Sequence, residues 1–249
     1  MPAVSSHSLV RQPRPASVML AAACLALATR AAPTTAQTVS PPIAEYQQRA
    51  RSSFQLINSG IYPLSVVLEV RGFRVTEQGE VQDLPLDTSV VHVKLSAMSF
   101  RIPPRAKYTV FYEARADTLP AWFTIVSALS GARTDTGLNL RILLPHVVYL
   151  NQKTPLRKEQ VTIRSFAYDT ATGKLRIELQ NLGPNLGRVQ QVTATADKVT
   201  SQPGAGFPLF PYAHRWTTVD WPGPQLPTRV SVRFSRFSVD TLLPATRSP

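Results

Sequence analysis

The stretch Phe100-Arg-Ile-Pro-Pro-Arg-Ala-Lys-Tyr-Thr-Val-Phe-Tyr112 decides how the chain is read. A strand over Met98 to Ile102 runs into Pro103-Pro104, which lack the N–H groups that pairing needs, and the aromatic and β-branched residues Tyr108 to Tyr112 resume it. The pattern repeats in both directions. Upstream, Phe54 and Leu56 lead into the turn Asn58-Ser59-Gly60, and Leu64 to Val70 is a β-branched run. Val75 to Val81 encloses the turn signal Glu77-Gln78-Gly79, and Val90, Val91, Val93 and Leu95 continue the series. Downstream, Trp122 to Leu129 and Leu138 to Tyr149 close a first set of strands. No stretch shows sustained helical periodicity with caps.

A second set follows the polar connector Asn151 to Pro155. Val161 to Tyr168 and Lys174 to Gln180 flank the hairpin loop Asp169 to Gly173. The long turn Asn181 to Gly187 precedes Val189 to Ala196, Trp216 to Trp221 and Val230 to Val239. Strands spaced every 8 to 12 residues or so between Pro and Gly punctuation predict an all-β chain of two tandem immunoglobulin-like β-sandwich domains, over 39–151 and 156–243.

The first 36 residues are read apart from the fold. Arg11 and Arg14 precede the uncharged run Ala16 to Ala28, and Thr34-Thr35-Ala36 offers small residues for cleavage, so 1–36 is expected to be a secretory signal peptide and the mature chain periplasmic. The alternatives, a first core helix or a lipid anchor at Cys24, fit an Ala-rich run without amphipathic period less well. Cys24 is the one cysteine, so no internal disulfide or Cys-based metal site is expected. No apolar run reaches the length of a membrane span.

The chain carries 27 Lys+Arg against 15 Asp+Glu, a formal net charge of +12. The arginines are scattered at strand spacing rather than clustered in a basic arm, so no nucleic-acid partner is expected. His92, His146 and His214 stand singly, and no G-x-S-x-G elbow or phosphate loop occurs, so neither an enzyme, a metal nor a cofactor is predicted. His92 is expected to point outward between inward valines. Tyr108, Phe111, Tyr112, Trp122 and Phe123, interleaved with Arg101, Arg105 and Lys107, could form a stacking surface; filling the sandwich interior is the reading preferred.

The order of these features resembles the periplasmic pilus-assembly chaperones of the chaperone-usher system, as a divergent member. A signal peptide, the Pro-rich first strand Ser40-Pro-Pro-Ile43, Asn58-Ser59-Gly60, Phe100 to Pro104, Tyr108 to Tyr112, Trp122 to Ile125, Leu140 to Pro145, Leu175 to Asn181, and Phe207 to Pro211 before Arg215 follow one another as in that family. The resemblance implies a chaperone that lends an edge strand to a pilus-type or other exported subunit, with an outer-membrane usher as a further candidate partner. It implies that Leu138, Leu140, Ile142 and Leu144, at period two, and Arg141 contact the subunit, Arg141 matching a basic residue that anchors a terminal carboxylate in an interdomain cleft. Two departures stand out. Pro41 to Glu45 holds no basic residue, and Leu129 to Gly137 is polar and turn-like where the family has a long apolar edge strand. The alternative is a surface adhesion module whose basic face binds acidic polymer.

Overall fold

A computed structural model describes residues 37–133, 139–223 and 225–243. The predicted signal peptide and Leu138 lie outside the described residues. The first half comprises β1 (Thr38–Ser40), β2 (Ile43–Gln47), β3 (Arg49–Ile57), β4 (Leu64–Val75), β5 (Val81–Pro85), β6 (Val91–Leu95), β7 (Ser99–Ile102), β8 (Lys107–Ala116), β9 (Ala121–Arg133) and β10 (Asn139–Asn151). The second comprises β11 (Val161–Asp169), β12 (Lys174–Asn181), β13 (Gly187–Ala196), β14 (Val199–Thr200), β15 (Phe207–Leu209), β16 (His214–Asp220), β17 (Arg229–Phe234) and β18 (Ser238–Leu242), with one 3-10 turn at Lys158–Gln160 between the halves. The all-β prediction holds.

Each half is a pair of sheets. In the first, β1-β3-β8-β6 packs over β2-β10-β9-β4-β5, with β7 also on β4; in the second, β11-β12-β16 packs over β14-β13-β17-β18, with β15 on β13. Alternation does the sorting: along β4, Leu64, Val66 and Leu68 are buried while Ser65, Val67 and Glu69 are exposed. Phe54, Leu56, Ile102, Val110, Phe123, Ile125, Leu129 and Leu150 belong to the first core, and Leu175, Ile177, Leu179, Val189, Val230 and Val232 to the second. Truncating Phe54 to Ala would cost about 3–5 kcal/mol at such a site.

Two asparagines fasten matching turns. The fully buried Asn58 donates Nδ2 to the carbonyls of Tyr62, Ile102 and Pro103, and its Oδ1 accepts from Gly60 N–H at 3.0 Å. Asn181 repeats the arrangement, donating to Asn185, Leu209 and Phe210 carbonyls and accepting from Gly183 N–H at 2.9 Å. Satisfying so many buried backbone groups from one side chain is what makes asparagine the fitting residue at both turns.

The polar segment after Leu129 differs from the expected loop: β9 continues as strand through Arg133. A bulge makes this possible. Leu140 faces Ala132 while Ile142 faces Leu129, so β9 carries one extra residue around Gly131, whose φ of 93° suits glycine.

The two sandwiches meet through a small apolar cluster. Phe73 and Tyr149, on the outward face of the first, pack with Leu186 and Phe210 of the second. Trp122 lies 4.6 Å from Phe210 between ring centroids and donates Nε1–H to Phe73 O at 2.9 Å. Polar links flank it. Gln152 in the connector bonds both the N–H and the carbonyl of Leu186, Trp216 N–H donates to Glu77 O at 2.7 Å, and His214 lies 2.8 Å from both Glu77 and Glu178 carboxylate oxygens.

Candidate functional site: an open strand edge and an interdomain cleft

β10 is paired antiparallel with β9 along its length on one side. Its other edge is taken by β2, running parallel, only from Val147 to Asn151. Among the described residues no strand pairs with the outer edge of Leu140 to Pro145. The phase of that edge is fixed by one bond: Val147 N–H donates to Pro42 O at 2.8 Å, so the peptide groups of Val147 point outward. Because a residue's N–H and C=O share a side and alternate along a strand, Leu143 presents both groups to the open edge, and Pro145 presents only a carbonyl. Proline is tolerated in this strand because it stands where no neighbour asks for its N–H.

The three described positions of the leucine face divide along the strand. Leu140 is 43% exposed, and Ile142 and Leu144 are half-buried against the first core. On the opposite face stand Arg141, exposed, then Leu143 at 50% exposure, Pro145, Val147 and the buried Tyr149. Arg141 adds a minor charge effect to Glu69, whose carboxyl is held below its usual range chiefly by the hydrogen bond from Arg71.

That outward face floors a groove of about 580 Å³ between the sandwiches. Leu143, Pro145, Val147, Ile43, Val126 and Phe73 make its apolar floor, and Phe207 and Pro208 close it from the second sandwich. Mostly apolar clefts of this size with a few polar groups are the usual form of a binding site, and they favour domain boundaries.

Three cations line the cleft, and they differ in what they touch. Arg71 is engaged by Glu69 at 2.6 Å and Asp83 at 3.0 Å. Arg188 pairs with Glu45 and lies 5.2 Å from the Tyr149 ring centre. Arg215 has no carboxylate among the described residues: its guanidinium lies 4.3 Å from the Phe207 ring centre, Nη1 donates to Pro208 O at 3.4 Å, and its buried Nε has no hydrogen-bond partner. Burial accordingly pulls its pKa below the ordinary arginine value, a nearby Tyr149 opposing. A half-buried guanidinium without a counter-charge is an anion site in chemical terms. Arg141 does not line this groove; it stands on the same strand face two positions before Leu143, where the groove floor begins. The resemblance to the chaperone family pointed to Arg141, whereas Arg215 acquires its setting only when the β4–β5 turn lies against it.

Next to the open edge, His146 is fully buried. Its Nδ1 lies 2.7 Å from Pro41 O, which can only accept, so Nδ1 carries the proton and Nε2 accepts from the Tyr112 hydroxyl at 3.0 Å. The Tyr46 hydroxyl, 2.9 Å from that of Tyr112, then donates to it. Burial lowers the His146 pKa against a smaller upward pull from the Pro41 bond. This relay fastens the corner between β1 and β2 to β10 where the open edge ends.

No family model matches the chain, and no curated protein matches it. Among solved structures it is similar to the SafB chaperone in complex with the SafA pilin of Salmonella enterica, at 12% identity over 84% of this chain and 96% of that one, with a TM-score of 0.49. It is similar to the E. coli chaperone DraB at 11% identity over 84% and 98%, TM-score 0.47, and to the Pseudomonas aeruginosa CupB2 chaperone at 12% identity over 82% and 100%, TM-score 0.45.

Proposed function

We propose that this chain is a periplasmic chaperone-like protein that caps an exported pilus-type or surface subunit by β-strand addition, its open β10 edge joining the subunit's sheet while the interdomain cleft takes the end of the subunit chain. The observation that carries this reading is the unpaired edge of Leu140 to Pro145, because a row of unsatisfied N–H and C=O groups is a template for an incoming strand. The order of sequence landmarks supports it independently. Leu140, Ile142 and Leu144 would gain burial from a docked subunit, Leu138 is proposed as a further contact on the sequence pattern alone, and Arg141 on the opposite face of the strand would meet the subunit's polar surface. Arg215 receives its anionic terminus.

The test follows from the phase of the edge. In Leu143→Pro the lost N–H is one that faces the open side, so the fold keeps its internal pairing while an incoming strand loses a hydrogen bond and meets the proline ring. Co-purification with a co-expressed pilus-type subunit should fall at least tenfold, with the melting temperature within about 3 °C of the parent, roughly the shift produced by 1 kcal/mol in a chain of this size. Undiminished capture by a folded Leu143→Pro chain would end the reading.

A further inference from the structure

We infer that the outward face of β3, β8 and β6, on the sheet opposite the open edge, is a second binding site, for an acidic polysaccharide. Three ranks of side chains cross these strands. Register places Arg49 opposite Arg115 and His92 on the far side of Arg115; two residues along, Arg51 and Lys94 flank Glu113; two further, Ser53 faces Phe111, whose N–H bonds Ser96 Oγ at 3.0 Å. Two shallow depressions of about 680 and 500 Å³ lie over these ranks and share Arg51, Lys94 and Glu113, so they form one trough. From Arg49 to Ser53 it runs about 13 Å along β3, room for two or three pyranose rings.

Four cations here meet one carboxylate, Glu113, which pairs with Arg51 at 3.2 Å. Arg49, Lys94 and Arg115 make no ion pair among the described residues. Like charges directly opposite on neighbouring strands destabilise a sheet, and Arg49 facing Arg115 is such a pair. A bound carboxylate or sulfate would relieve that repulsion and accept the two-pronged hydrogen bonds that guanidinium groups offer. His92 sits at the trough's end, 3.2 Å from Asp117.

Phe111 supplies the second half of the chemistry. It is 62% exposed, whereas Tyr112 and Val110 on either side of it are buried in the core. The small neighbours Ser53 and Ser96 leave it uncovered. An aromatic face is electron-rich and attracts the polarised C–H groups of a sugar ring, so an exposed phenyl beside arginines suits a charged pyranose. Glu113 in the middle of the trough separates this from a DNA-binding groove: a polysaccharide has hydroxyls that can donate hydrogen bonds to it, whereas a phosphodiester backbone has no donor to offer. The site does not depend on the chaperone reading, being on the other sheet.

The test titrates the full chain with polygalacturonate, dextran and poly(dT) by calorimetry at low and moderate salt. Polygalacturonate should bind with an affinity that falls as salt rises, and dextran and poly(dT) more weakly by at least tenfold. R49Q/R115Q should weaken polygalacturonate binding at least tenfold, while R229Q/R233Q, the same charge change on the second sandwich, should alter it less than twofold. Phe111→Ala should lose at least fivefold and Phe111→Trp should restore it, all variants melting with the parent. Absence of polygalacturonate binding, equal losses in the two double variants, dextran bound as tightly, or poly(dT) bound more tightly would each overturn the proposal.

Discussion

Gly79, in the turn between β4 and β5, presents its bare α-carbon to the guanidinium of Arg215 in the other sandwich: a Cβ there would fall 2.8 Å from Nη2, and the glycine's φ is 91°. The residue therefore answers two demands at once, a left-handed turn and a close approach. Gly79→Ala should cost about 1–3 kcal/mol, from backbone strain together with displacement of the guanidinium. Because the turn and Arg215 belong to different sandwiches, hydrogen exchange should show the loss first at Trp216 N–H, which bonds Glu77 O in that turn. Protection unchanged at Trp216, with the whole destabilisation spread through the first core, would contradict this.

Arg215→Met separates stability from binding. The wild-type guanidinium is partly desolvated and has no carboxylate partner among the described residues, so an apolar side chain of similar length should leave the fold unchanged or stabilise it by up to about 1 kcal/mol. Under the function proposed above, the same change should weaken capture of a subunit with a free terminal carboxylate by about tenfold or more, and have little effect on one whose terminus is amidated. Denaturant midpoints and competition binding measure the two arms. A clear loss of stability would mean that the charge is already compensated in the free protein.

His146 should give the fold an acid sensitivity. Its folded pKa is lowered by burial, so the unfolded chain takes up a proton at higher pH than the folded one. The stabilising contribution of the neutral ring is complete above the ordinary histidine value of about 6.5 and is lost as pH falls below it toward the folded value. Melting temperatures should drop between pH 7 and 5. In His146→Gln, with one titrating group removed, that slope should become shallower, and an unchanged slope would assign the sensitivity elsewhere.

Periodicity and turn chemistry made most of the architecture legible. The β11–β12 hairpin around Asp169 to Gly173 and the turns at Asn58 and Asn181 announce themselves because their structures are set by neighbours in sequence. β5 was silent, since Gln82, Asp83 and Pro85 lack a strand composition and all five of its residues are exposed; pairing with β4 alone makes it a strand. β9 was cut short for the opposite reason, a glycine that reads as a loop and in fact makes a bulge. On β10, Leu140 could be chosen from strand phase and Arg141 from the resemblance to the chaperone family. The isolation of Arg215 could not, because it depends on Gly79, more than a hundred residues away in sequence, and the exposure of Phe111 follows from which of two adjacent aromatics the core admits.

Pro145 fixes one end of the open edge. On one side of it β2 closes the strand, and on the other the available hydrogen-bonding groups run only back toward Leu140, with the proline itself unable to donate. A strand laid along this edge would find its last N–H partner at Leu143 and could not slide past Pro145 toward β2, so the proline sets the register at that end whatever the strand's sequence.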